Sequence, residues 1–272
     1  MHCKTLKCQW GVVVVFLGIL VGALNAEEKK PVIDSNDPLM KLFEPREYVD
    51  ESGKSLNYRL MKPIDYKPSK TYPLVIFLHG AGERGDDNIS QLVHAAREFA
   101  DEERRRAYPA YVLFPQCPKE KKWVNVDWNQ ESHTLPDQPS ESMALVKALV
   151  DEMIESAGID DTRIYITGLS MGGFGTWDAI ARYENFFAAA APICGGGDPA
   201  TASRFVDLPI WCFHGTKDRV VKFHRTQEMV DALKKLGGDP KFTEYPDVEH
   251  NSWTPTYANP ALYEWMFAQV RP

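Results

Sequence analysis

The sequence predicts a single α/β domain: a mostly parallel sheet opened by an antiparallel N-terminal hairpin, with helices on both faces and no cap domain. Three observations carry that expectation. Short, nearly continuous apolar runs recur along the chain, as strands buried on both faces produce. Helical patterns stand between them, and two early segments alternate polar and apolar residues across a turn sequence. The 272 residues, 44% hydrophobic and 25% charged, suit one hydrophobic core, and no linker divides them.

Residues 1–26 read as an export signal: Lys4 and Lys7, an apolar run from 11 to 24, then Ala26 ahead of the charged Glu27-Glu28-Lys29-Lys30. That run is shorter than the roughly 18 residues a membrane span needs. The mature protein is therefore expected to be secreted or periplasmic, with no membrane span after cleavage. Residues 27–45, rich in Pro and Asp, are expected as an irregular lead-in, and the folded domain as 46–272. Segments 47–49 and 55–61 flank Ser52-Gly53-Lys54 as a hairpin. Apolar runs at 74–78, 111–114, 164–167, 188–192, 210–213 and 242–245 follow as strands. Helices are expected at 89–103, 141–157, 171–182, 226–236 and 261–270, with Gly158 and Gly237 as stops.

Composition narrows the partners. A formal charge of −7 argues against phosphate backbones, so nucleic acid is not expected. If Cys3 and Cys8 leave with the signal, Cys117, Cys194 and Cys212 remain, an odd number. Cys212 lies in an apolar run, whereas Cys117 and Cys194 sit in loop-like text and could pair. No CxxC or His-rich cluster appears, so neither a metal nor a cofactor is expected.

In open parallel sheets, ligands collect beyond the C-terminal ends of strands. There the chain places Gly168-Leu169-Ser170-Met171-Gly172, a G-x-S-x-G sequence running from a strand into a helix. Such a turn strains the serine and exposes its hydroxyl, while the glycines let neighbouring backbone pass without Cβ clashes. A serine hydroxyl needs a base, and the base an orienting acid. The next two strand ends supply them in the expected order: Asp218 in His214-Gly215-Thr216-Lys217-Asp218, then His250 in Pro246-Asp247-Val248-Glu249-His250. His79, which precedes the serine, reads as a structural histidine fixing a turn, and His214 as a brace for the acid loop. The oxyanion of acyl transfer requires two main-chain N–H groups; Met171 and Ala81 are the candidates, with Gly82 as the alternative to Ala81.

These residues resemble the α/β-hydrolase superfamily, closest to exported single-domain carboxylesterases related to dienelactone hydrolases, feruloyl esterases and the prolyl oligopeptidase catalytic domain. The similar text is HGAGERG from His79, GLSMGGFGTW from Gly168, AAAAPICGGGD from Ala188, HGTKD from His214 and the His250 loop, within residues 74–270. The resemblance implies a serine carboxylesterase, with Ser170, Asp218 and His250 as its triad and Ala81 with Met171 as its oxyanion hole. Only 78 residues precede His79, too few for a β-propeller gate, so a peptidase of prolyl oligopeptidase type is the second reading. A catalytically silent binding module is the third.

Substrate signals are thinner. Only 17 residues, 193–209, separate two of the strands, leaving no room for the helical cap of many lipases. An open site suits an ester projecting from a large molecule. The long insertion 116–140 carries Trp123 and Trp128, with Trp253 nearby in the His250 loop, and aromatic faces could receive a sugar ring or a cinnamoyl group. The expected substrate is an acetyl or feruloyl ester, linked to polysaccharide.

Overall fold

Alternation of side chains along the strands sorts the interior into two cores, one on each face of an eight-stranded sheet. The computed structural model describes residues 33–34 and 36–272. The strands are β1 (Phe43–Val49), β2 (Ser55–Met61), β3 (Tyr72–Leu78), β4 (Tyr111–Pro115), β5 (Ile159–Leu169), β6 (Ala189–Ile193), β7 (Trp211–Gly215) and β8 (Lys241–Tyr245). Their order across the sheet is β1-β2-β4-β3-β5-β6-β7-β8. β1, β2 and β4 pair antiparallel, and every pairing from β4 through β8 is parallel.

Leu74, Ile76 and Leu78 of β3 point to one face, with Ile164 and Ile166 of β5. There they meet α4 (Glu141–Ser156), α5 (Met171–Arg182) and α6 (His224–Lys235) through Leu149, Trp177 and Met229. Val75 and Phe77 point to the other face. It is covered by α1 (Leu39–Leu42), α2 (Ala96–Ala100), α7 (Trp253–Ala258) and α8 (Pro260–Phe267) through Leu39, Phe99, Tyr257 and Met266. Between Cys194 and β7 lies one short turn, Pro199–Arg204, and no cap domain.

Several expectations are corrected. The helix expected at 89–103 is broken. Asp87 Oδ1 accepts the N–H groups of Ile89 and Ser90, Ala95 takes φ 62°, and Asp101 ends α2 while its carboxylate caps α3 (Glu102–Ala107) through Arg104 N–H. The helix expected at 261–270 starts at Pro260 under an Asn259 cap and ends at Phe267. The lead-in is not wholly irregular: β1 begins at Phe43, with Pro45 tolerated because β1 is an edge strand. β8, the opposite edge, is only partly buried rather than covered on both faces. Cys117, Cys194 and Cys212 are all free and buried. Cys117 belongs to the α4 side of the sheet and Cys194 to the other, so the pairing considered for them does not form. The export signal and the first part of the lead-in lie outside the described residues. No helix among the described residues is long and apolar enough to cross a membrane.

The tightest contact in the sheet is where β5 turns into α5. A Cβ on Gly172 would lie 1.9 Å from the Leu78 carbonyl oxygen, and one on Gly168 would lie 2.5 Å from the Gly172 oxygen. Both obstacles are main chain, so neither can swing away. Gly172→Ala should therefore lower stability by about 3 kcal/mol or more, a fall in Tm of about 10 °C. Gly82→Ala, whose Cβ meets nothing within 4 Å, should leave Tm within about 2 °C of wild type. Thermal unfolding of the two variants checks the pair.

Candidate active site

Ser170 stands on the turn between β5 and α5 with φ 53° and ψ −115°, a conformation that costs a non-glycine residue about 1–3 kcal/mol. Its N–H donates to the Ile193 carbonyl at 3.0 Å, and its carbonyl accepts the Phe174 N–H at 3.0 Å. The backbone is thus fixed from both sides while the hydroxyl remains at the surface end of the helix.

The loops after β7 and β8 are packed back to back. A Cβ on Gly215 would lie 2.2 Å from the Glu249 carbonyl oxygen. Thr216 N–H donates to the Tyr245 carbonyl, Lys217 N–H to that of Val248, and Asp247 N–H to Thr216 Oγ1. This contact brings two distant chain segments to one point. His250 Nδ1–H donates to Asp218 Oδ2 at 2.7 Å, and the Ser170 hydroxyl donates to His250 Nε2 at 2.9 Å. The three side chains expected to converge do so.

Asp218 is enclosed by donors. Oδ1 accepts the N–H groups of Val220 and Val221 at 2.8 and 2.9 Å, and His214 Nε2 lies 3.1 Å from Oδ2. Burial alone would raise its pKa. The hydrogen bonds from His214 and His250, aided by the Val221 N–H, outweigh that and hold the carboxyl well below the usual carboxylate range. His214 is itself tied to Thr226 Oγ1 at 2.8 Å and the Val221 carbonyl at 2.9 Å, which braces the acid loop.

Gly80 passes so close that a Cβ on it would lie 3.8 Å from Ser170 Cβ, which places the turn Ala81–Glu83 beside the serine. The main-chain N–H groups of Ala81 and Met171 find no acceptor among the described residues. Behind the turn His79 is fully buried. Its Nε2 accepts the Cys117 N–H at 2.9 Å, its Nδ1–H donates to the Gly80 carbonyl at 2.6 Å, and burial pushes its pKa down to about 4.

The phospholipase/carboxylesterase family model matches residues 61–258. The chain belongs to that family. It is an α/β-hydrolase. Among solved structures, a thermostable esterase superposes with TM-score 0.80 and 39% identity, covering 86% of this chain and 64% of the other. The bifunctional acetylxylan esterase/xylanase of Neocallimastix patriciarum is 27% identical over 224 residues, 80% of this chain and 29% of that protein. The carboxylesterase SOBER1 of Arabidopsis thaliana is 27% identical over 199 residues, 65% of this chain and 82% of its own. The chain therefore spans less than a third of the acetylxylan esterase/xylanase. A ferulic acid esterase of Anaeromyces mucronatus shares the fold at TM-score 0.55 and 16% identity.

In this carboxylesterase-family chain the three tryptophans differ. Trp123 is corrected from a substrate-facing to a packing residue: it has no solvent exposure, its indole N–H donates to the His79 carbonyl at 3.0 Å, and its own carbonyl accepts from Ser140 Oγ. Trp128 is half-buried against Val124, Val126, Phe174 and Val221, with Lys122 Nζ 4.6 Å from its ring centre. Trp253 is half-buried between the rings of His250 and His94, each 5.3 Å away. Sequence reasoning missed Arg225, a fully buried guanidinium that donates to the Gln130 and Gly197 carbonyls and to His133 Nδ1, clasping the loop 116–140 onto α6. The signal was present: Arg225 heads the buried stripe of Met229 and Leu233, where an apolar side chain is expected. Among the described residues, Cys194, Asp218 and His250 alone bring three metal-ligating atoms within 4.8 Å of one another. Asp218 and His250 already bond each other, and burial pushes the Cys194 thiol far up, both of which oppose metal binding.

Because His79 stays neutral in the fold down to about pH 4 but binds a proton near pH 6.5 when unfolded, acid favours the unfolded chain across that window. The stability it contributes is complete above about pH 6.5 and lost as pH falls to about 4, some 3 kcal/mol at 1.4 kcal/mol per tenfold in proton affinity. Urea unfolding at pH 7 and pH 4.5 should show wild type losing more stability over that interval than His79→Asn, by most of that amount.

Proposed function

We propose that the protein is a serine carboxylesterase working through an acyl-enzyme, and the observation that carries the reading is the His250 imidazole, 2.9 Å from the Ser170 hydroxyl and 2.7 Å from the Asp218 carboxylate. His250 Nε2 takes the hydroxyl proton as Oγ attacks the ester carbonyl. Asp218 holds the Nδ1–H tautomer and steadies the imidazolium. The tetrahedral oxyanion is met by the N–H groups of Ala81 and Met171. As the C–O bond breaks, the leaving alcohol takes the proton from His250. Water, deprotonated by the same nitrogen, then releases the acid and restores Ser170.

The substrate we infer is an acetyl or feruloyl ester on polysaccharide, reached by a secreted or periplasmic enzyme. Its supports are the uncapped strand ends, the partly exposed Trp128 beside Phe174, one turn along α5 from Ser170, and the acetylxylan esterase relative. The N-terminal sequence pattern supports export.

Ser170→Ala should reduce hydrolysis of p-nitrophenyl acetate to background, and Asp218→Asn should lower kcat by about 10⁴-fold with KM little changed. Acid release from acetylated xylan and feruloylated arabinoxylan should exceed cleavage of a prolyl p-nitroanilide, and Trp128→Ala should slow the polymer substrates more than p-nitrophenyl acetate. Faster cleavage of the prolyl amide would favour a peptidase. No turnover of any ester would leave a silent binding module.

A further inference from the structure

We propose that His79 is a positioning residue for the oxyanion hole: it holds the Gly80 carbonyl and thereby aims the Ala81 N–H at the carbonyl oxygen that becomes the oxyanion when Ser170 attacks. The inference rests on the serine esterase reading above and adds to it a residue that never touches substrate.

The two groups of one trans peptide point in opposite directions, so fixing a carbonyl fixes the N–H of the following residue. The Gly80 carbonyl is fixed by a 2.6 Å hydrogen bond from His79 Nδ1. That bond requires the proton to reside on Nδ1. The Cys117 N–H, donating to Nε2 at 2.9 Å, can be accepted only by an unprotonated nitrogen and so selects this tautomer. The ring cannot turn away, because it is fully buried with the Trp123 ring 5.1 Å distant and the Trp123 N–H on the His79 carbonyl. The peptide cannot move closer to the nucleophile either, since Gly80 lies against Leu169 and Ser170.

The next peptide is held by another side chain. Arg84 Nε donates to the Ala81 carbonyl at 2.9 Å, and Nη1 to the Lys121 carbonyl at 3.3 Å. The strand-end loop thus carries two consecutive carbonyls restrained by its own side chains, His79 and Arg84, with the Ala81 N–H, which has no acceptor among the described residues, between them. An N–H aimed before the oxyanion forms costs no reorganisation when it does form, which is the condition under which such donors accelerate acyl transfer.

Two substitutions separate positioning from packing. In His79→Asn the side-chain amide nitrogen falls near the Nδ1 position and can still donate to the Gly80 carbonyl. His79→Leu fills similar space without a donor. Both lose the bond from Cys117 N–H, so both carry a similar loss of stability. The measurements are kcat and KM on p-nitrophenyl acetate, Tm, and inhibition by phenylboronic acid, which forms a tetrahedral adduct on the serine. The expected result is that His79→Leu loses about 10²-fold in kcat and in phenylboronic acid affinity with KM nearly unchanged, while His79→Asn stays within about tenfold of wild type in both. If the two variants fall alike, or if His79→Leu loses only Tm and keeps the boronate affinity, His79 has no positioning role. A wild-type protein that neither hydrolyses the ester nor binds the boronate overturns the esterase reading itself, and this proposal with it.

Discussion

The close approach of main chain to main chain at the start of α5 is the constraint on which the rest of the structure depends. A helix whose second residue presses against the Leu78 carbonyl can follow β5 only through a sharp turn, and Ser170 occupies that turn at positive φ. The strain is held by burial of nearly every side chain of α5 and by the hydrogen bond from Ser170 N–H to Ile193. Because α5 abuts the end of β3, the loop after β3 has nowhere to go but past the serine. One packing requirement therefore places both the hydroxyl and the neighbouring N–H groups.

Three buried or half-buried histidines surround this point, and their surroundings give them different chemistry. His250 has a carboxylate on one nitrogen and a hydroxyl on the other, the arrangement of a base. His214 leans on the same carboxylate but spends its other nitrogen on Thr226, deep in the protein. His79 has a main-chain partner on each ring nitrogen. The acid between the first two is buried yet satisfied by four donors, so it keeps its charge without the penalty an unpaired carboxylate would carry.

Much of this was legible in the sequence because backbone chemistry leaves strict residue requirements. Gly168, Gly172 and Gly215 have no room for a side chain, and the acid and base follow strand ends marked by apolar runs. Less was legible where tertiary contact overrode local pattern. The helix expected at 89–103 was interrupted by aspartates whose side chains compete for backbone N–H groups. Trp123 carried no mark distinguishing it from Trp128, since its burial depends on His79 from a remote segment. Cys117 and Cys194 looked alike in text but fall on opposite faces of the sheet.

The most direct test of the central claim is the intact mass of the protein after exposure to a fluorophosphonate, followed by peptide mapping. The account predicts a single adduct, on Ser170, that forms at least about 10³-fold more slowly in His250→Ala because the hydroxyl has lost its base. An unlabelled wild-type protein, or labelling of Ser170 that is indifferent to His250, would contradict it.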